Sequence, residues 1–166
     1  MTSVLMVLDV DGTISRVLRD HEYDEHRDDP GWARVLPLDE PVIHALDEQA
    51  RRPGVEVAWL TSWASSNAEL DWLANESPLR GRLSGALVPW VDWPRSGWRS
   101  RSLLAYVEQI QPQAVIWADD RAASGTARRV ETRFGIPHLI LRPQLHVGLT
   151  CEHVQRIRDF IDAHLE

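Results

Sequence analysis

The apolar run from Ser3 to Leu8 stops abruptly at Asp9-Val10-Asp11-Gly12-Thr13. Five uninterrupted apolar residues are too few for a helix, and they read as a strand buried on both faces. A strand buried in this way is a central strand of the core, and the alternation of strands and helices that follows it predicts a parallel sheet covered on both faces. The break into acid places two carboxylates at the strand's carboxyl end, and Gly12 lets the backbone turn there.

The rest of the chain repeats the strand-helix alternation. Residues 16–38 are polar, rich in Asp and His and without periodicity, which predicts a loop or flap. Asp39 offers an N-cap and Pro41 a first-turn residue for a helix through Ala50, stopped by Pro53-Gly54. Val55 to Leu60 predicts the second strand, running into Thr61-Ser62-Trp63. Ser66, with Glu69 three residues on, reads as a capping box for a short helix. Ala86 to Val91 is the candidate third strand. Ser100 or Ser102 is the expected cap of a helix carrying Leu103, Leu104, Val107 and Ile110 on one face. Ala114 to Ala118 predicts a fourth strand ending in Asp119-Asp120. A helix over 126–134 follows, then a fifth strand over 138–141 and a helix capped by Thr150. The expected fold is α/β: a Rossmann-like parallel sheet of about five strands with helices on both faces, in one domain over 1–166.

Composition narrows the classes. The 166 residues carry 18 basic and 25 acidic side chains, a net charge of −7, which argues against holding nucleic acid by a blanket of positive charge. No apolar run approaches the roughly 20 residues that cross a bilayer. The N-terminus has neither the basic start nor the long apolar core of a secretory signal, so the expectation is a cytoplasmic protein. Cys151 is the single cysteine, which excludes an internal disulfide and a cysteine-based zinc site. All 18 basic residues are arginine, so lysine chemistry is unavailable to this chain.

In a parallel sheet, ligands bind beyond the carboxyl ends of the strands. Three expected strands end there in polar groups: Asp9 and Asp11, Thr61 and Ser62, Asp119 and Asp120. Two close carboxylates supply a nucleophile or metal ligand and a proton carrier, since different surroundings push their pKa values apart. Further acid at the same edge needs a cation, and an all-oxygen set suits Mg²⁺. The hydroxyls and backbone N–H groups of Thr61 and Ser62, next to a helix start, can hold an anionic oxygen. A phosphoryl group with Mg²⁺ fits all of these groups.

The order of these motifs, LDVDGT at 8–13, Thr61 ending the second strand and Asp119-Asp120 ending the fourth, resembles the haloacid dehalogenase (HAD) superfamily of phosphohydrolases over nearly the whole chain. The resemblance implies that Asp9 forms an aspartyl phosphate. It implies that Asp11 protonates the leaving group and then activates water, and that Thr61 binds the transferring group. Asp119, with Asp120, would hold Mg²⁺ together with Asp9 and the Asp11 carbonyl. The family's usual third-motif lysine is missing. Arg99 is the first candidate to replace it and Arg101 the second, both also candidate phosphate ligands. Only about 24 residues separate Ile14 from Asp39, so no large cap domain is expected, just a flap at about 15–38. By resemblance, open members act on large substrates, such as nucleic-acid ends or phosphoproteins. The words WLTSW, GWR, WADD and GLT are similar to small HAD domains found in RNA-repair proteins.

The expected activity is therefore a Mg²⁺-dependent phosphomonoesterase acting on a phosphorylated small molecule or nucleic-acid end. A phosphotransferase of the same fold and a non-catalytic phosphate-binding module are the alternatives; oligomeric state is not legible. Trp90, Trp93 and Trp98, interleaved with Arg95, Arg99 and Arg101, can stack a base and pair a phosphate, but read first as packing residues. His21, His26, Asp24, Asp28 and Asp29 read as a solvated loop before a second metal site. His138 reads as a satisfied strand histidine and Cys151 as a buried, inert thiol.

Overall fold

The computed structural model describes residues 3–26 and 36–165. Its centre is a parallel five-stranded sheet in the order β3-β2-β1-β4-β5, formed by β1 (Val4–Leu8), β2 (Val55–Trp59), β3 (Ala86–Leu87), β4 (Ala114–Ala118) and β5 (His138–Leu141). The helices are α1 (Asp20–His26), α2 (Glu40–Ala50), α3 (Asn67–Asn75), α4 (Trp98–Ile110), α5 (Thr126–Phe134) and α6 (Cys151–His164). Every residue of β1 and β4 is buried, as central strands covered on both faces must be.

The alternation along β1 divides the core in two. Val4, Met6 and Leu8 pack with Val42, Ile43 and Leu46 of α2 and with Val154, Ile157 and Ile161 of α6. Leu5 and Val7 face the other way, onto Leu103, Leu104 and Val107 of α4 and Val130 of α5. No large cap is present among the described residues, and none of their helices is long and apolar enough to cross a membrane.

Several local expectations are corrected. The segment expected to be loop contains α1, seven residues with Asp20 and Glu22 in the first turn, where acid suits the helix dipole. Asp28, Asp29 and the side chain of His26 lie outside the described residues. The third strand is two residues long, not six, and its side chains are exposed. Asp39 sits at the N-cap position of α2 without a side-chain cap bond. Helix α4 begins at Trp98 behind a left-handed Gly97, two residues before Ser100. Ser100 and Ser102 are thus buried inside the helix, where Ser100 bonds Thr126 at 2.8 Å and Ser102 accepts the Val91 N–H at 2.8 Å. Ser66 does accept the Glu69 N–H at 3.3 Å. A reciprocal capping box occurs instead between Thr150 and His153 at the start of α6. Cys151, in the first turn of α6, is exposed rather than buried. His138 is half-buried on β5, with Nδ1 3.2 Å from the Ile136 carbonyl.

Candidate active site

The chain runs from β1 outward to β2 and β3, then returns to place β4 on the other side of β1. The β1/β4 boundary is therefore the switch point where α/β sheets bind ligands. Leu8 pairs with Ala118, and Asp9 donates its N–H to the Ala118 carbonyl at 3.1 Å, so Asp9 and Asp119 follow side by side beyond the two strand ends. Asp9, Asp119 and Asp120 each bring one carboxylate oxygen within 4.8 Å of the others.

The loop after β1 is a tight turn: Ser15 donates its N–H to Val10 at 2.9 Å and Gly12 donates to Ser15 at 2.7 Å. Gly12 has φ +74°, and a Cβ there would meet Asp120 Cγ at 2.7 Å, so glycine is required both for the turn and for the approach of Asp120. The buried Thr13 hydroxyl accepts the Asp120 N–H at 3.1 Å and ties the two strand ends together.

Arg99 reaches into the cluster from the first turn of α4. Its Nε donates to Asp119 Oδ2 at 3.0 Å and its Nη2 to Asp9 Oδ2 at 3.4 Å. The other oxygen of Asp9 accepts the Val10 N–H at 2.8 Å, and that of Asp119 accepts the Arg121 N–H at 2.8 Å. One guanidinium does not balance three carboxylates. Burial, then repulsion from Asp119, pushes Asp9 up to about 8 despite the arginine. Burial also lifts Asp119 to about 6, against the pull of Arg99, and raises Asp120. Asp120 Oδ1 is buried without a hydrogen-bond partner. Hard oxygen donors in excess negative charge, one of them unpartnered, fit a divalent cation such as Mg²⁺.

Asp11 is exposed, and its Oδ2 accepts the Trp63 Nε1–H at 2.8 Å. Asp9, Asp11, Ser62, Arg99 and Asp120 share a cleft of about 290 Å³. Thr61 is 1% exposed, accepts the Trp63 N–H at 3.3 Å and lines a neighbouring cavity under α3 instead. Arg101 is not brought to the carboxylates: it pairs with Asp92 at 2.9 Å and donates to the Ser96 carbonyl at 2.9 Å. Sequence reasoning missed Tyr23, Arg121 and Leu145, which also line the cleft, and the role of Trp63 in holding Asp11. Only Trp63 had a sequence signal, its place directly after Thr61-Ser62.

A Rossmann-like sheet with acid clustered at its switch point and a short DxDGT turn defines a domain of the phosphatase-type HAD superfamily. The chain belongs to the family described as the HAD domain in Swiss Army Knife RNA repair proteins, whose model matches residues 5–154. Its fold is similar to the HAD domain of the effector protein Lem4 from Legionella pneumophila, at 12% identity and a TM-score of 0.56 over 100% of both chains. No curated protein matches the chain.

Proposed function

We propose that this domain is a Mg²⁺-dependent phosphomonoesterase that works through Asp9, with a phosphorylated nucleic-acid end as its preferred substrate. The observation that carries this reading is the convergence of Asp9, Asp119, Asp120 and Arg99 at the β1/β4 switch point. The RNA-repair setting of the matching family supports the nucleic-acid end, and the absence of a large cap among the described residues suits a bulky substrate.

In this reading a carboxylate oxygen of Asp9 attacks phosphorus, and the bond from phosphorus to the leaving oxygen breaks. Asp11 gives that oxygen its proton. The Asp11 carboxylate then takes a proton from water, the water oxygen attacks the aspartyl phosphate, and inorganic phosphate leaves with Asp9 restored. Asp9, Asp119 and Asp120 would hold Mg²⁺, which supplies positive charge that keeps Asp9 ionised and offsets charge on the phosphoryl oxygens. The Arg99 guanidinium stabilises the same charge from the α4 side. Ser62, in the cleft, is the hydroxyl available to a phosphoryl oxygen, while Thr61 shapes the turn that carries it.

The missing lysine would suit a non-catalytic phosphate-binding module, but an arginine in contact with both Asp9 and Asp119 supports catalysis instead. The test is phosphate release from oligonucleotides phosphorylated at the 5′ or 3′ end, with Mg²⁺ or with chelator. Release is expected with Mg²⁺ only, and none is expected from Asp9→Asn. Equal turnover by Asp9→Asn would defeat the covalent mechanism.

A further inference from the structure

Beside the cleft, the segment leading into α4 holds a three-tryptophan cluster that the mechanism does not use. Trp90 and Trp93 stack with centroids 4.2 Å apart, and Trp93 meets Trp98 edge-on at 4.7 Å. Trp98 is buried and in turn carries Arg99 over its ring, with Cζ 4.5 Å from the centroid. Trp90 and Trp98 are thus packing residues, but Trp93 is 41% exposed. The Trp93 indole, stacked on Trp90 and in a T-shaped contact with Trp98, still keeps about two fifths of its surface open to solvent.

The backbone that presents this ring is firmly held. The Val91 N–H donates to Ser102, the Arg101 guanidinium donates to the Ser96 carbonyl, and Arg101 pairs with Asp92. Asp92 has φ 60°, a left-handed conformation that Asp tolerates better than most residues but that still costs energy. Arg95 of the same segment is exposed and has no ion-pair or side-chain hydrogen-bond partner among the described residues. A held, half-exposed indole, an unpaired arginine two residues further along the same segment and a second guanidinium on the neighbouring indole form the combination that binds single-stranded nucleic acid, through stacking and phosphate pairing.

We infer that the solvent-exposed part of the Trp93 indole is a stacking platform for a nucleobase of the substrate strand, with Arg95, two residues on, for the backbone and the reacting phosphate at Arg99. The position of that phosphate rests on the phosphomonoesterase reading; the platform itself does not. The spacing favours a nucleobase over the ring of an aryl phosphate. The Arg99 guanidinium lies over Trp98 and not over Trp93, and an aryl ring joined to the phosphate through one oxygen is held close to phosphorus, whereas a base stands off by its ribose.

The test compares wild type, Trp93→Leu and Trp93→Phe on three substrates: a terminally phosphorylated oligonucleotide, the same strand with abasic terminal sites, and a phosphotyrosine peptide. Trp93→Leu is expected to raise KM for the first by about ten- to a hundredfold, with kcat unchanged. It should leave the abasic strand unaffected, and Trp93→Phe, which keeps an aromatic face and serves as the folding control, should recover part of the loss. Equal loss on intact and abasic strands, or loss confined to the peptide, would overturn the platform. Binding is read separately in Asp9→Asn, where the phosphorylated oligonucleotide should quench tryptophan fluorescence and Trp93→Leu should remove the quench. If no substrate releases phosphate, the phosphomonoesterase reading falls, while this binding measurement still decides for or against Trp93.

Discussion

Arg99 and Arg101 show how little a side chain's identity says about its role. Both are arginines in the first turns of α4, two positions apart, so they point to directions about 200° apart around the helix. One can face the carboxylates only if the other does not, and Arg99 is the one in contact with Asp9 and Asp119. Arg99→Ala is expected to lower turnover by about 10²–10³-fold, the scale of losing a charge-stabilising donor, while Arg101→Ala acts weakly on a base-free phosphate ester. Arg99→Lys separates charge from geometry: an ammonium keeps the charge but cannot span two carboxylates as a planar fork does. Initial rates for the three variants decide this, and a silent Arg99→Ala would remove the residue from the mechanism. Trp63→Phe tests the hydrogen bond to Asp11 while keeping an aromatic ring against Trp72, 6.0 Å away. The expected effect is about a tenfold loss of kcat, the scale of one hydrogen bond to a charged group, and it should be largest for poor leaving groups. An unchanged dependence on leaving group would show that Asp11 does not need the indole.

At the scale of elements, the helix starts departed furthest from expectation. Ser100 and Ser102 have the chemistry of N-caps, yet α4 starts earlier, and its serines join it to α5 and to the Val91 segment. At α6 the reverse happened: Thr150 was expected as a cap, and His153 completes the box by accepting the Thr150 N–H on Nδ1 at 3.1 Å. That acceptor exists only while the ring is neutral, and burial lowers the pKa of His153 below its usual 6.5. The folded state therefore binds this proton less readily than the unfolded chain. The cap's contribution is complete above pH 6.5 and declines as pH falls through 6.5 toward the lower folded value. Urea unfolding between pH 8 and pH 5 should show this decline, and His153→Gln, which can cap without titrating, should reduce it. An identical slope in the variant would assign the pH dependence to other groups.

For the molecule as a whole, the dominant electrostatic fact is the carboxylate cluster at the carboxyl edge of the sheet. In chelator, three carboxylates share one arginine, and burial raises the pKa of each. A divalent cation that binds only the folded state adds stability by mass action, about 2.7 kcal/mol when its concentration is a hundred times Kd. Mg²⁺ is therefore expected to raise Tm, and Asp119→Asn should abolish the rise because a ligand and a charge are lost together. Ca²⁺ should also stabilise the fold but inhibit turnover, since it accepts more ligands at longer distances and would compete for both Asp9 oxygens. Full activity in chelator would remove the cation from the reading altogether.

The local chemistry of the chain already determined the alternating α/β architecture, because buried parallel strands must be continuous apolar runs and their helices must carry an apolar stripe. It also determined which strand ends carry reactive groups, since Asp9, Asp11 and Asp119-Asp120 each stand directly beyond such a run. The tertiary structure alone decided what depends on distant packing. It set which arginine faces the carboxylates, which hydroxyl opens to the cleft, that Cys151 is exposed and that Trp93 is the most exposed of three neighbouring tryptophans. These outcomes turn on the rotation and exact start of a helix, or on which side of a loop meets the core. Residue identity leaves those choices nearly equal in energy until the rest of the chain packs against them.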